Sequence, residues 1–264
     1  MNGGRQVNLG RVARGPHAGR VMFAYPAGGS VTVPFHASCL RLLQHELTKG
    51  PQRLLSNMSH ASGLYVADNR TCITEKFDDR GSPEWLLQVD TDIEFPPTLL
   101  ETLLKLAGNT IKILVASVPL GAYPSCGFMR TETPGVWDPV YPVPTTPLKV
   151  DGVATAVALI HRDVFNAVAD ADGGCWWHHI YLPKSPDGTS ARRFRYRSQG
   201  EDLAFSVRAA AAGFQSWVVH VPGIGHYKVR RCSHDDEQAS YATALDDSSD
   251  GMGEIVQEGE HGPS

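Results

Sequence analysis

Short apolar segments alternate with stretches of helical periodicity along most of the chain. The apolar segments are typical of buried strands and cover residues 21–25, 53–58, 85–89, 113–117, 153–160 and 217–221. Between them, the spacing of apolar residues predicts helices over residues 34–47, part of 62–77, 96–108, 162–168 and 201–212. This alternation predicts crossover connections, and therefore an α/β fold with a mostly parallel central sheet flanked by helices.

Two stretches interrupt the alternation. Residues 119–147 are rich in proline and show little periodicity, which indicates either a long ordered loop over a site or an insertion. Residues 170–196 are also irregular and include the run Cys-Trp-Trp-His-His. The apolar pattern does not fix the direction of the outer strands.

The chain has 264 residues, of which 42% are hydrophobic, and this is enough for one large α/β domain or for two small ones. That apolar fraction excludes wholesale disorder. No apolar run approaches the roughly 20 residues that a membrane-spanning helix needs. Five cysteines, an odd number at wide spacings, indicate a reduced, cytoplasmic protein rather than a disulfide scaffold.

Charge divides the chain into three parts. Residues 1–20 are rich in Gly and Arg and lack the apolar core of a secretory signal, which predicts a flexible basic segment. Residues 233–264 contain nine carboxylates and neither Lys nor Arg, which predicts a solvated, mostly disordered tail. A tail that masks the domain or binds a partner is the alternative. The single domain is expected over residues 21–232, and its mildly basic balance is weak support for a nucleotide or polyanionic ligand.

Two aspartates follow the strand predicted over residues 85–89. Side chains two positions apart in an extended chain point to the same side, so Asp90 and Asp92 can converge. Ligands of open α/β sheets gather at the carboxyl ends of strands. Two converging carboxylates there favour a hard divalent ion, Mg²⁺ or Mn²⁺, which keeps coordination positions open for phosphate oxygens. The plainer interpretation is a turn with two solvated aspartates.

Further candidate groups stand at a helix start and after the last strand. Gly200 precedes Glu201 and Asp202, which either cap the helix or place the Asp202 carboxylate in a cleft, where it could accept a proton from a hydroxyl. His226 could complete an oxygen-rich Mn²⁺ site, or it could be a surface or hydrogen-bonded histidine. His220, within the last strand pattern, is expected to be a satisfied core histidine or to support the site from behind.

Taken in order, four motifs resemble those of small GT-A-type glycosyltransferases, the family-2-like enzymes of phages and bacteria. The motifs are WLLQVDTDIEFPPTLLETLL, VDGVATAVALIHRDVF, SQGEDLAFSVRAAAAGF and GIGHYK, and the match covers roughly residues 20–230. The resemblance implies the GT-A fold, whose Rossmann-like sheet forms a single domain. It also implies hexosyltransferase-like transfer of a sugar from a nucleoside-diphosphate sugar to an acceptor hydroxyl, with Mn²⁺ or Mg²⁺ as cofactor.

The resemblance also implies roles for the candidate residues. Asp92 would be a direct metal ligand of the DXD motif, and His226 would be a further ligand. Asp90 would bind the metal, or hold the ribose or a metal-bound water. Asp202 would be the catalytic base of an inverting reaction, and Glu201 beside it would touch the acceptor.

Donor contacts follow from the same resemblance. Tyr25 and Pro26 match the place where such enzymes hold the nucleotide base, and Asn69 and Arg70 match a polar pair that lies near the donor. The chain departs from the family in the run VATAVALI, where it has alanines in positions that are often glycine. The shape of the donor pocket is therefore not predicted.

Three other functions fit parts of the sequence. A nucleotidyltransferase also uses a carboxylate-bound metal, but it should have a basic Gly-rich loop after the first strand, where residues 25–30 are Tyr-Pro-Ala-Gly-Gly-Ser. A catalytically inactive nucleotide-sugar-binding module is the second alternative. A zinc-stabilised binding module is the third, although its possible ligands match no strong zinc spacing: Cys175, His178, His179, Cys232 and His234.

The sequence leaves the acceptor open. A protein, a modified DNA base and a glycan all fit, whereas a lipid-linked sugar is less favoured without a membrane segment. Four aromatic residues could stack on sugar rings, although ordinary packing is the simpler interpretation for each of them: Tyr123, Trp137, Trp176 and Trp177.

Overall fold

The computed structural model describes residues 19–227, apart from residues 29, 51, 55–58, 64, 80–82, 120–125, 133–135 and 184–195. Most of the predicted basic segment and the whole of the predicted acidic tail lie outside the described residues. Within the described part of the chain, no helix has both the length and the apolar character to cross a membrane.

The helices occur where the apolar spacing predicts them. They are α1 Val33–Thr48, α2 Val66–Asp79, α3 Leu99–Ala107, α4 Arg162–Asp172 and α5 Glu201–Ala211. The side chain of Thr32 caps α1 by accepting the backbone N–H of Phe35, and Gly173 adopts a left-handed conformation, with φ of 63°, directly after α4. Helix α3 begins three residues later than predicted because a turn from Pro96 to Leu99 precedes it.

Seven strands form the central sheet, in the order β2-β1-β3-β10-β5-β13-β8. The strands of the described residues are β1 Val21–Ala27, β2 Ser59–Ser62, β3 Trp85–Val89, β4 Ile93–Glu94, β5 Ile113–Ala116, β6 Gly127–Arg130, β7 Trp137–Pro139, β8 Leu148–Val150, β9 Gly152–Val153, β10 Val157–His161, β11 Ile180–Pro183, β12 Tyr196–Gln199, β13 Ser216–Val219 and β14 Gly225–His226. Strands β2, β1, β3, β5 and β13 run in one direction, and β10 and β8 run in the other. The predicted α/β class with a mostly parallel central sheet is confirmed.

One interior strand opposes the others. The strand predicted over residues 153–160 is split, so that β9 joins a different sheet while β10 lies antiparallel between β3 and β5. The break is tied to the end of β3, because the backbone N–H of Asp90 donates to the carbonyl of Ala156 at 2.8 Å. Apolar content identifies a buried strand but does not determine its direction.

Other segments also differ from the predicted pattern. On its outer side β1 pairs with β2. Of the predicted second strand, Leu54 forms an isolated bridge with Val21, and residues 55–58 lie outside the described residues. The proline-rich stretch contains β6 and β7, which form a three-stranded antiparallel sheet with β9. The irregular stretch after α4 contains β11, which pairs with β12 in a hairpin.

Helices cover both faces of the central sheet. On one face, α1 packs through the ring of Phe35 against Phe95. On the other face, α2, α4 and α5 pack together through Phe77, Phe165 and Phe205, and burying each such ring contributes roughly 2 kcal/mol. This packing brings the first turn of α5 close to the start of α2, at the edge of the sheet where the parallel strands end.

Candidate active site

One buried arginine holds three carboxylates at the carboxyl edge of the sheet. Nη2 of Arg70, on α2, lies 3.1 and 3.3 Å from the two carboxylate oxygens of Asp90, which follows β3. Nη1 lies 2.8 Å from Oε1 of Glu201 and also donates to Oδ1 of Asp202, at the start of α5. The side chain of Arg70 is 2% exposed, and those of the three acids are 21–29% exposed. The Arg70 guanidinium therefore binds acidic residues that lie far apart in the sequence.

This group contains three acidic side chains and one basic side chain, and the pKa values of its members are shifted. Burial by itself lowers the pKa of Arg70, but the nearby Asp202, Asp90 and Glu201 outweigh it and hold the pKa above its usual value. Burial raises the pKa of Asp90 to about 6, although Arg70 opposes the shift. Burial also raises the pKa of Asp202, again against the effect of Arg70. Three acids share one guanidinium, so the group retains an affinity for a further cation or a proton.

Thr155 completes the surroundings of Asp202. It is fully buried in the break between β9 and β10, and its hydroxyl donates to Oδ1 of Asp202. The sequence analysis missed this contact, because a threonine before an apolar segment gives no signal of its own. The hydrogen bond favours the ionised carboxylate and fixes its orientation.

Asp92 and His226 form a second pair at the same edge. Nε2 of His226 lies 3.0 Å from Oδ2 of Asp92, and Nδ1 lies 2.8 Å from the carbonyl oxygen of Pro119. Strand β14 pairs with β4, and the backbone N–H of Tyr227 donates to the Asp92 carbonyl at 2.8 Å, which aligns the two side chains. Both ring nitrogens can donate only in the imidazolium form. In the neutral ring, an Nδ1–H bond to the carbonyl leaves the Nε2 lone pair facing the carboxylate, which favours a cation between them.

The turn between Asp90 and Asp92 is hydrogen-bonded to the loop after β1. The hydroxyl of Thr91 donates to the carbonyl of Ser30 at 3.0 Å. The carbonyl of Thr91 accepts both the backbone N–H and the hydroxyl of Thr32, each at 3.0 Å. The two aspartates therefore stand on a fixed turn, and Thr32 both caps α1 and holds this turn.

The metal ligands predicted from sequence are only partly together. Among the described residues, no group of three or more His, Cys, Asp and Glu side chains is arranged to hold a metal ion. Asp92 and His226 supply two candidate ligands, while Asp90 is bound by Arg70. One carboxylate and one imidazole fit a Mg²⁺ or Mn²⁺ ion that takes its remaining ligands from water and phosphate oxygens.

The zinc alternative gains no support from the described part of the chain. No cluster of three or more His and Cys side chains lies there. His179 instead lies 3.7 Å from Oε2 of Glu201. Two of the possible ligands, Cys232 and His234, lie outside the described residues.

The predicted donor contacts lie near the carboxyl ends of β1 and β2. Tyr25 and Pro26 belong to β1, and the ring of Tyr25 stacks on that of His60 with centroids 5.7 Å apart. Asn69 is 3% exposed, and its Nδ2 lies 3.4 Å from the carbonyl of Gly63. A Cβ atom at position 63 would lie 3.0 Å from the Asn69 amide oxygen, so this close approach favours glycine.

The exposed fractions of the remaining candidates, the aromatic residues and His220, indicate whether each could contact a ligand. Trp176 and Trp177 are 8% and 0% exposed, so packing rather than sugar stacking explains them. Trp137 is partly buried, and Tyr123 lies outside the described residues. His220 is exposed and directly follows β13, so the expectation of a core histidine was wrong.

Comparison with known proteins gives fold-level likenesses only. No protein-family model matches the chain, and no curated protein matches it. Among solved structures, "A197 from STIV" is 15% identical with a TM-score of 0.43, over 81% of this chain and 98% of that one. A glycosyltransferase involved in the glycosylation of the major capsid of PBCV-1 is 14% identical with a TM-score of 0.33, over 55% and 61%. GalNAc-T7 with UDP, GalNAc and Mn²⁺ is 10% identical with a TM-score of 0.49, over 90% and 52%. At these values no residue role follows from the likeness.

Proposed function

We propose that the protein transfers a sugar from a nucleoside-diphosphate sugar to an acceptor hydroxyl, with bound Mn²⁺ or Mg²⁺. The observation that carries this proposal is that two acidic groups lie at the carboxyl edge of the sheet, namely Asp90, Glu201 and Asp202 around Arg70, and Asp92 with His226. One buried arginine compensates them only in part. This edge is where open α/β sheets bind nucleotides. Surplus negative charge there suits a dication that also binds a diphosphate.

Asp92 and His226 would hold the dication. Asp90 would lie in the same site, either as a ligand or bound to the ribose or to a metal-bound water. The dication, when bound, neutralises the charge that develops on the departing diphosphate. The hydrogen bond from His226 to the Pro119 carbonyl keeps Nε2 directed at Asp92.

Asp202 would act as the base. The bond from the acceptor oxygen to the anomeric carbon forms while the bond from that carbon to the diphosphate oxygen breaks, and the acceptor proton goes to the Asp202 carboxylate. The raised pKa of Asp202 brings it closer to neutral pH, where base catalysis is efficient. Glu201 lies beside it and would contact the acceptor. A single displacement of this kind inverts the anomeric configuration.

The nucleotide would occupy the half of the edge formed by β1 and β2. Tyr25 and His60 offer a stacked pair of rings there, and a nucleotide base stacks well on such a surface. Pro26 follows Tyr25, and Asn69 supports the adjoining loop. Arg70 would act from beneath the site, because its guanidinium is already bound by three acids.

A binding experiment tests the donor and the metal together. Thermal shift and calorimetry with a panel of nucleoside diphosphates and nucleotide sugars should show binding in Mn²⁺ that is lost in chelator. Asp92→Asn should abolish this metal-dependent gain. Asp172→Asn is a matched control, since Asp172 is similarly exposed (49%, against 42% for Asp92) and is also ion-paired, but outside the site. Nucleotide binding that is unchanged by chelator and by Asp92→Asn would contradict the proposal.

The reaction itself needs a second measurement. NMR of the transferred sugar should show an inverted anomeric centre, and Asp202→Asn should abolish transfer while leaving metal-dependent donor binding intact. A retained configuration, or full activity of Asp202→Asn, contradicts the assignment of the base. Release of pyrophosphate from a nucleoside triphosphate would favour the nucleotidyltransferase instead.

A further inference from the structure

A separate cavity of about 350 Å³ lies at the ends of β5 and β13. Pro119 belongs to its wall and also accepts the hydrogen bond from His226. Pro119 therefore connects the cavity wall to His226 of the proposed metal pair. Its lining comes from three segments, namely Ser117 and Pro119 after β5, Tyr141 to Val143 before β8, and His220, Val221 and Ile224 after β13.

The walls of this cavity are held in place by hydrogen bonds. The backbone N–H of His220 donates to the carbonyl of Pro144 at 2.8 Å, which joins the loop before β8 to the end of β13. The backbone N–H of Ser117 donates to the carbonyl of Val219 at 2.8 Å, which joins the ends of β5 and β13. A cavity whose walls are preformed binds a ligand without the cost of ordering them.

The lining of the cavity differs in charge from the adjacent site. Among the described residues, the lining contains no Asp, Glu, Lys or Arg. A phosphate-bearing ligand, such as nucleic acid, would find no cation there to compensate its charge. The lining is instead mainly apolar, with the ring of Tyr141 68% exposed and the imidazole of His220 as a polar group. These features select a neutral ligand that has an apolar face.

The cavity also lies on the side of the sheet away from the proposed nucleotide site. Strand β10 separates β1 and β3 from β5 and β13. Asp92 and His226 lie between the two halves, because β4 follows β3 and β14 follows β13. A donor bound on one half and an acceptor bound on the other would meet at the carboxyl edge of the sheet, where Asp202 also lies.

We propose that this cavity binds the acceptor, and that the acceptor is a neutral pyranose unit of a glycan. This assignment rests on the proposed function. A pyranose has an apolar C–H face that packs on an aromatic ring, and hydroxyl groups at its edge. When that face packs on Tyr141, the hydroxyl groups at the ring edge stay free to take part in the transfer. A peptide acceptor would need a neighbouring apolar side chain in the cavity and a separate seryl or threonyl hydroxyl at the centre. One sugar ring satisfies both requirements.

Saturation-transfer NMR on the full chain tests this inference without any donor. The probes are neutral methyl pyranosides of the gluco, galacto, manno and N-acetylglucosamine series. We expect at least one to bind, with the largest transfer at the hydrogens of one ring face. Tyr141→Ala should weaken binding by about tenfold, and His220→Ala should weaken it as well. Leu47→Ala is the control, because Leu47 is equally exposed (71%) but lies on α1.

The outcomes separate this inference from the proposed function. Metal-dependent nucleotide binding is measured on the same samples and should be unchanged in Tyr141→Ala. If nucleotide binding is absent, the proposed function fails, whatever the pyranosides do. If nucleotide binding is present but no pyranoside binds, or binding does not depend on Tyr141, the acceptor assignment is overturned. Tyr141-dependent binding of a Ser- or Thr-containing peptide, with the pyranosides silent, overturns it as well.

Discussion

Replacing Arg70 with methionine is expected to destabilise the protein by about 3–5 kcal/mol at neutral pH, the usual cost of removing one partner of a buried ion pair. The guanidinium is 2% exposed and is the shared partner of Asp90, Glu201 and Asp202. Methionine fills much of the same space but leaves three carboxylates close together without a cation. Since a domain of this kind is stable by only about 5–15 kcal/mol, the loss is large and measurable by urea denaturation.

The pH dependence distinguishes a charge effect from a packing effect. Burial raises the pKa values of Asp90 and Asp202, and Arg70 opposes both shifts, so its removal raises these two pKa values further above those of the unfolded chain. Protons then bind the folded state more tightly, so the variant is least destabilised in acid and loses stability as pH rises. We expect the difference from the unmodified protein to be clearly smaller near pH 5 than near pH 7. Mg²⁺ or Mn²⁺ should restore part of the loss at the higher pH.

Arg162→Met is the matched control for this prediction. Arg162 is also largely buried, at 17% exposed, and its guanidinium donates to the carbonyls of Phe77 and Pro83 and lies over the Phe77 ring. Its acidic partner among the described residues, Asp78, is 59% exposed. Its loss should therefore depend little on pH. Equal losses for Arg70→Met at both pH values, or a loss below about 1 kcal/mol, would refute the reasoning about the shared cation.

Three further results are expected. Burial raises the pKa of Asp90 to about 6. This carboxyl group therefore stabilises the free protein in acid, and the free energy of unfolding falls as pH rises from about 4 to about 6. Asp90→Asn should flatten that part of the pH profile of the free energy of unfolding, measured by urea denaturation. Thr155→Val removes the hydroxyl that donates to Asp202, so the acidic limb of the pH–rate profile should move to higher pH; an unmoved limb would separate Thr155 from the base. A thiol reagent should modify exposed Cys72 in the native protein and leave Cys39 unmodified, because burial raises the pKa of the Cys39 thiol to about 12; peptide mapping by mass spectrometry would decide this.

Much of the fold follows from local patterns in the sequence. The buried strands β3 and β5 and the helices α1 and α3 are predictable because apolar spacing and capping residues act over a few positions. The direction of β10 is not predictable in this way, because strand pairing depends on contacts far apart in the chain. Strands β6 and β7 were missed for a related reason. They are short, rich in proline at their margins, and pair with each other and with β9.

In the candidate site, too, local patterns predict some features, whereas long-range contacts determine others. The pattern predicted that Asp90 and Asp92 converge at the end of β3. In the structure Asp90 is bound by Arg70 and Asp92 by His226, so their joint role at a metal stays a prediction. The resemblance implied a place near the donor for Arg70, but its role as the shared partner of three acids was not predicted. An arginine on a weakly patterned helix suggests a solvated side chain, and its burial depends on three acids from distant parts of the sequence. Long-range electrostatic partners leave no local periodicity in a sequence.

The contact between Arg70 and the start of α5 has a consequence for recombination. Helix α2 is encoded by the first half of the chain and α5 by the second, yet the acids of one half need the cation of the other. A chimera that takes its first half from a protein without this arginine would inherit Glu201 and Asp202 with no counterion. Residue 70 and residues 201–202 should therefore be exchanged together. A chimera with a crossover between them should fold only when both parents have the arginine and the two acids.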